Sequence, residues 1–197
     1  MTNIISLIGR TNVGKSLLFN KLTQYKNSIV LNKHGVTRDI NQGRLLYEDK
    51  YLNLFDTAGI SSSDENLSRL AHEKTLDAIK KSSILLFVVS LEDGATSNDK
   101  EIATILRKYN KKILLVINKC DKEKSTLKKY EFSELGFTHS YEVSAKTNRG
   151  LDCLVKSIFN QIDAPVHDNS TINRIAFIGK PNVGKSTLIN SILNDNR

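Results

Sequence analysis

A chain of 197 residues, 39% hydrophobic and 25% charged, has the makeup of a soluble globular protein, with length for one domain of about 160 residues and a short remainder. Its net charge of +8 permits RNA as a partner without demanding it, because the lysines are scattered through a chain rich in Lys, Asn and Ile rather than gathered into a stripe. No apolar run approaches the ~20 residues of a membrane span, no signal peptide is expected before a strand that starts at Ile4, and two cysteines, Cys120 and Cys153, make neither a disulfide framework nor a zinc site. Reduced thiols in a cytoplasmic protein are expected.

In chain order, Ile4 to Ile8 reads as a strand and Lys15 to Thr23 as the helix behind the loop that follows. Asn41 to Glu48 and Tyr51 to Phe55 read as a hairpin turning at Asp49-Lys50. Leu67 to Lys81 is helical, and Ile84 to Val89 is an apolar strand buried on both faces. Asn98 to Tyr109 is a helix with Ile102, Ile105 and Leu106 on one face, and Lys112 to Ile117 is a second buried strand. A Lys-rich stretch from Lys122 to Leu135 contains a helix, Ser140 to Val143 is a short strand, and Leu151 to Ile162 is the closing helix. The alternation predicts an α/β fold of three α/β/α layers, the P-loop NTPase architecture, with a mostly parallel six-stranded sheet and one antiparallel strand. Asp163 to Ile172, with Pro165, His167, Asp168, Asn169 and Ser170, reads as a linker. The predicted organisation is therefore a first domain over 1–162, a linker over 163–172, and over 173–197 the strand, loop and helix start of an incomplete second domain.

Gly9-Arg10-Thr11-Asn12-Val13-Gly14-Lys15-Ser16 fits the phosphate-binding pattern G-x-x-x-x-G-K-[ST], between a strand and a helix as the pattern requires. It returns as Gly179-Lys180-Pro181-Asn182-Val183-Gly184-Lys185-Ser186. The copies share Ile5, Ile8, Leu18 and Asn20 outside the motif, so the repeat extends into strand and helix. Backbone N–H groups of such a loop form an anion nest, and the helix adds its positive end. Lys15 is expected at the β- and γ-phosphates, Ser16 on Mg²⁺, and Leu17 beside the nucleotide.

The base is read by Asn118-Lys119-Cys120-Asp121. The Asp121 carboxylate accepts from both N1–H and the 2-amino group of guanine; adenine offers neither donor and leaves the carboxylate unpaired, at ~1–3 kcal/mol or more. Asn118 is expected to tie adjacent loops together and the Lys119 stem to cover a ring face. In Ser144-Ala145-Lys146, the Ala145 N–H is expected at guanine O6. Asp56-Thr57-Ala58-Gly59 follows a strand, where Asp56 would hold Mg²⁺ through water and the Gly59 N–H would approach the γ-phosphate. Thr37, in Gly35-Val36-Thr37-Arg38-Asp39, is the candidate second Mg²⁺ ligand. The expected ligands are GTP or GDP with Mg²⁺.

This motif order resembles the TRAFAC-class GTPases, and the tandem P-loops resemble the Der (EngA) family, bacterial GTPases with two consecutive G domains. Gly35 to Asp39, the E-F-x-x-L-G-F segment at Glu131 to Phe137 and N-V-G-K-S twice carry the likeness over residues 3–197. The resemblance implies a role in assembly of the large ribosomal subunit, and in the intact protein a complete second G domain and an RNA-contacting KH-like domain. Two departures stand out: Thr11 where the family usually has Pro, and Ala58 where its first domain commonly has Gly; neither removes a ligand. Ile60 stands where Ras-like GTPases have the glutamine that orients water. The resemblance instead implies a K⁺ ion beside the phosphates with Asn12 as ligand, so that Asn12, Lys15, Thr37 and Gly59 are the expected catalytic set. Ile60 keeps open a nucleotide-binding regulatory module with negligible hydrolysis. The second copy has Gly179, Gly184, Lys185 and Ser186 but no guanine-reading motif after it. His34, His72, His139 and His167 fall in no ligand spacing.

Overall fold

A computed structural model describes residues 3–25, 41–48, 50–57, 75–121, 130–162 and 166–167. The chain divides into two compact units, Met1–His167 and Asp168–Arg197, and only the first contains described residues. The division falls inside the segment 163–172 read as a linker.

The first unit runs β1 (Ile4–Ile8), α1 (Lys15–Thr23), β2 (Asn41–Tyr47), β3 (Lys50–Asp56), α2 (residues 75–81), β4 (Ile84–Ser90), α3 (Ser97–Arg107), β5 (Lys112–Asn118), a 3₁₀ turn (Phe132–Leu135), β6 (Ser140–Glu142), α4 (Leu151–Asn160) and β7 (Val166–His167). The main sheet path is β2-β3-β1-β4-β5-β6. All its pairings are parallel except β2 with β3, the hairpin read from the sequence, although Lys50, read there as part of the turn, belongs to β3 and pairs with Tyr47. A two-residue seventh strand is absent from the sequence reading: β7 pairs antiparallel with Lys50 and Tyr51 of β3. Register shows why it fits there, because β1 covers β3 only from Asn53 to Asp56 and leaves the start of β3 open.

β4 is buried along its whole length, as a central parallel strand with both faces covered must be. Its side chains divide by alternation. Ile84, Leu86 and Val88 pack with Leu18 and Leu22 of α1 and Leu154 and Ile158 of α4. Leu85, Phe87 and Val89 pack with Ile79 of α2 and Ile102 and Leu106 of α3. The result is the expected three-layer sandwich, its rigid sheet holding the loops at the C-terminal ends of β1, β3, β5 and β6 side by side, where open α/β sheets bind ligands. Among the described residues no helix is long and apolar enough to cross a membrane.

Candidate functional site

The first P-loop takes its shape from two glycines that cannot carry a side chain. Gly9 has φ +155, and a Cβ there would lie 2.3 Å from the Val88 carbonyl oxygen of β4. Gly14 has φ +92, and its Cβ would lie 2.5 Å from Asn118 Nδ2. Gly14 is also the N-cap of α1, which has no side-chain cap and no acidic residue in its first turn. The end of α1 where Ser or Asp would normally satisfy the free N–H groups is thus left positive, as an anion requires.

Lys15 is only 6% exposed, and its Nζ donates to the Arg10 carbonyl at 2.8 Å. Burial pulls this ammonium down to about 8; the Asp56 carboxylate opposes that shift and the Arg10 charge adds to it. The cation is therefore buried and incompletely compensated, the state a phosphate relieves. Thr11 and Asn12 of the loop and Ser16 and Leu17 of the first turn of α1 are all exposed. Asn12 holds a left-handed conformation, φ 64, which turns the loop at its tip, the role asparagine tolerates best after glycine.

Asp56 closes the phosphate end. It is 4% exposed, and its Oδ1 has no hydrogen-bond partner among the described residues, while Thr57 beside it is fixed by Oγ1 donating to the Leu7 carbonyl at 2.7 Å. A buried carboxylate oxygen left without a donor is costly. Together with the exposed Ser16 hydroxyl it fits a hard divalent cation such as Mg²⁺, which takes oxygen ligands and keeps several waters.

The base end is held by one amide. Asn118, 2% exposed, donates from Nδ2 to the Val13 carbonyl at 2.9 Å and accepts on Oδ1 from the Ala145 N–H at 3.0 Å. One side chain thereby joins the P-loop, its own strand end and the 144–146 loop, the tying role read from the sequence. The Ala145 N–H, expected to address guanine O6, donates to Asn118 instead. Ser144 donates its hydroxyl to Asp121 and accepts from the Thr147 N–H at 3.1 Å. The Asp121 carboxylate is thus oriented while remaining exposed. Lys119 adopts φ 65 and pairs with Glu92 at 3.2 Å, and Lys146 is exposed. Cys120 is buried and its Sγ donates to the Ile117 carbonyl at 3.3 Å, a packing role.

Thr37, Ala58, Gly59, Ile60, Gly179, Gly184, Lys185 and Ser186 lie outside the described residues. Of the others, the fold brings Gly9 to Leu17, Asp56, Thr57, Asn118, Lys119, Asp121 and Ser144 to Lys146 to one edge of the sheet. Sequence reasoning missed the acidic residues beside them. Arg10 is clasped by Asp93 and Asp99, and Lys119 by Glu92. Thr96-x-x-Asp99 is legible as a helix-capping box, which it is, but nothing linear pairs Asp99 with Arg10.

The 50S ribosome-binding GTPase family model matches residues 4–119 and 174–197. GTPase Der of Buchnera aphidicola subsp. Schizaphis graminum is 43% identical over 210 residues, spanning 98% of this chain and 46% of that protein. GTPase Der of Thermosipho africanus is 38% identical over 203 residues, again spanning 98% and 46%. The chain thus spans a little under half the length of these curated relatives. Among solved structures, Aquifex aeolicus Era bound to GDP and AlF4⁻ superposes with TM-score 0.68 at 27% identity, covering 82% of this chain and 57% of that one. Era in complex with MgGDPNP and nucleotides 1506–1542 of 16S ribosomal RNA gives 0.69 at 25% identity, covering 89% and 59%.

Proposed function

Because the chain belongs to the 50S ribosome-binding GTPase family, we propose that its first unit binds GTP and GDP in the cleft from Gly9 to Ser144 and hydrolyses GTP as a molecular switch. The observation that carries this is the Asn118 bridge from Val13 to Ala145. It fixes the distance between phosphate cradle and Asp121, so a ligand must present a polyphosphate and a guanine edge at one separation. Backbone N–H groups and Lys15 bind and orient the phosphates, Asp121 reads N1–H and the 2-amino group, and the Lys119 stem covers the ring. Ser16, Asp56 and Thr37 would hold Mg²⁺, which supplies charge neutralisation at the β–γ bridge. Asn12 and the Gly59 N–H complete the set, with Asn12 as the K⁺ ligand.

Partner and location rest on the relatives. We infer a cytoplasmic protein acting in assembly of the large ribosomal subunit, through rRNA or its precursor, with a complete second G domain and a KH-like domain in the intact protein. The second P-loop is not expected to bind GTP usefully without a guanine-reading motif after it. Ile60, apolar where a water-orienting glutamine would stand, favours a second reading: a GTP/GDP-binding regulatory module with negligible intrinsic hydrolysis.

Turnover of GTP with Mg²⁺, in KCl and in NaCl at equal ionic strength, separates the two. Several-fold stimulation by K⁺ that Asn12→Ala abolishes supports the hydrolase and the cation role of Asn12. Tight guanine-nucleotide binding with background turnover in both salts favours the regulatory module. Absence of guanine-nucleotide binding sinks both.

A further inference from the structure

Two carboxylates outside every motif of the nucleotide site converge on the P-loop. Arg10 directs Nε to both oxygens of Asp99, 3.2 Å each, and Nη2 to Asp93 Oδ2 at 2.5 Å. The Asp99 side chain is fully buried, Arg10 is 17% exposed and Asp93 38%. Asp99 stands in the first turn of α3, where it also accepts from the Thr96 N–H at 3.1 Å and the Thr96 hydroxyl at 2.7 Å. The helix cap therefore sets its place independently of Arg10. An exposed ion pair contributes little, but removing one partner of a buried pair strands the other charge.

The same Arg10 offers its backbone carbonyl to Lys15 Nζ at 2.8 Å. Its side chain is pinned to α3 and the loop after β4, while its main chain holds the buried lysine of the cradle. With its guanidinium neutralised by two carboxylates, Arg10 neither swings into the cradle nor pulls its carbonyl away from Lys15. The loop carrying Asp93 is itself held from below, since Glu131 accepts from the Ala95 N–H at 3.3 Å.

We propose that Asp99, assisted by Asp93, is a positioning residue for the phosphate cradle, fixing Arg10 and, through the Arg10 carbonyl, the place of Lys15. This rests on the reading of Gly9 to Ser16 as the phosphate site. The planar guanidinium reaches two carboxylates at once, Asp99 from Nε and Asp93 from Nη2; a lysine at position 10 would not reproduce this, which explains why such a clasp is built on arginine.

The test is a double-mutant cycle on the full chain, read by GDP affinity with Mg²⁺ and by thermal unfolding without nucleotide. Asp99→Asn keeps an oxygen for the Thr96 cap and removes the charge facing Arg10. It should weaken GDP about tenfold, within the coupling range of residues sharing one ion-pair network. In an Arg10→Gln background the same change should weaken GDP no further. Asp93→Asn, at a half-exposed site that does not threaten folding, should show a smaller loss that is likewise silent when Arg10 is absent. Glu134→Gln, which breaks an exposed pair with Lys100 and touches neither Arg10 nor Asp99 in that contact, should leave affinity unchanged. An equal loss in both backgrounds would mean that Asp99 acts only as a helix cap, and the positioning role falls. Affinities equal to wild type in Asp99→Asn and Asp93→Asn also overturn it. If the wild-type chain binds no GDP, the phosphate-site reading falls first and this inference with it.

Discussion

The two ends of the cleft are held by different chemistry. At the phosphate end the organising contacts are ionic: Arg10 with Asp93 and Asp99, and Lys15 buried near Asp56. At the base end they are directional contacts centred on one amide and one hydroxyl, Asn118 between Val13 and Ala145 and Ser144 on Asp121. A phosphate is recognised mainly as charge, gathered by converging N–H groups and a buried cation. A base is recognised by the pattern of donors on its edge, so its reader must be locked in angle as well as place. Glu92, paired with Lys119 at 3.2 Å, and Asp93, on Arg10, are consecutive in one loop, so the two ends share a support.

The sharpest way to break this comparison is to remove the residue that joins the ends. Asn118→Ala leaves the Val13 carbonyl and the Ala145 N–H without their partner in a buried setting, at about 1–3 kcal/mol each. The nucleotide-free melting temperature should fall on that cost, and GDP affinity should fall with it, because the phosphate cradle and Asp121 are then no longer held together. An unchanged melting temperature would show that the loops hold one another without it.

Next in size is Asp121→Asn, which leaves a hydrogen-bond acceptor for Ser144 but presents an amide donor where guanine also presents donors. Charge-assisted bonds are worth about 1.5–3 kcal/mol each, so losing two should lower GDP affinity at least about 100-fold. Xanthine diphosphate, with a carbonyl at C2, should be favoured over GDP by the variant. No gain for xanthine would place the base elsewhere than on Asp121.

Much of this was legible because it is written in short runs. Gly9 to Ser16, Asn118 to Asp121 and Ser144 to Lys146 each lie on one loop at one strand end, and apolar runs with 2-residue and 3.6-residue periods place those strands and helices. The expected helix over Asn98 to Tyr109 and the strand over Ile84 to Val89 both appear, shifted by a residue or two at their ends. What stayed hidden is what the fold assembles from distant positions. Arg10 and Asp99 meet only because β1 and β4 pair in parallel, with Ile8 opposite Phe87. The strand Val166–His167 was hidden for another reason: two residues carry no periodicity, and Pro165 next to them argues for a loop.

A smaller effect sharpens the phosphate end. Gly14→Ala places a methyl 2.5 Å from Asn118 Nδ2 at φ +92, a strained conformation worth about 1–3 kcal/mol. The strain falls on both ends at once, so unfolding temperature and GDP affinity should decline together. A variant that lost affinity alone would show that Asn118 gives way and only the cradle suffers.

The smallest effect is a proton, and it separates charge from geometry most directly. Lys15 has its ammonium pulled from 10.5 to about 8 in the nucleotide-free chain. A base whose folded pKa is depressed costs stability while protonated. The nucleotide-free fold should therefore gain stability as pH rises from about 8 towards 10.5, where the unfolded chain still holds the proton. Phosphates bound beside Lys15 reverse the shift, so GDP binding must take a proton up. Near pH 8.5 that uptake should be a measurable fraction of a proton per GDP, because burial leaves part of Lys15 uncharged there. Calorimetry in two buffers of different ionisation enthalpy measures it directly. Lys15→Arg, charged throughout this range, should bind without the uptake. An uptake that survives in Lys15→Arg would assign the proton to the nucleotide or to another group, and the buried ammonium would lose its place at the centre of the phosphate end.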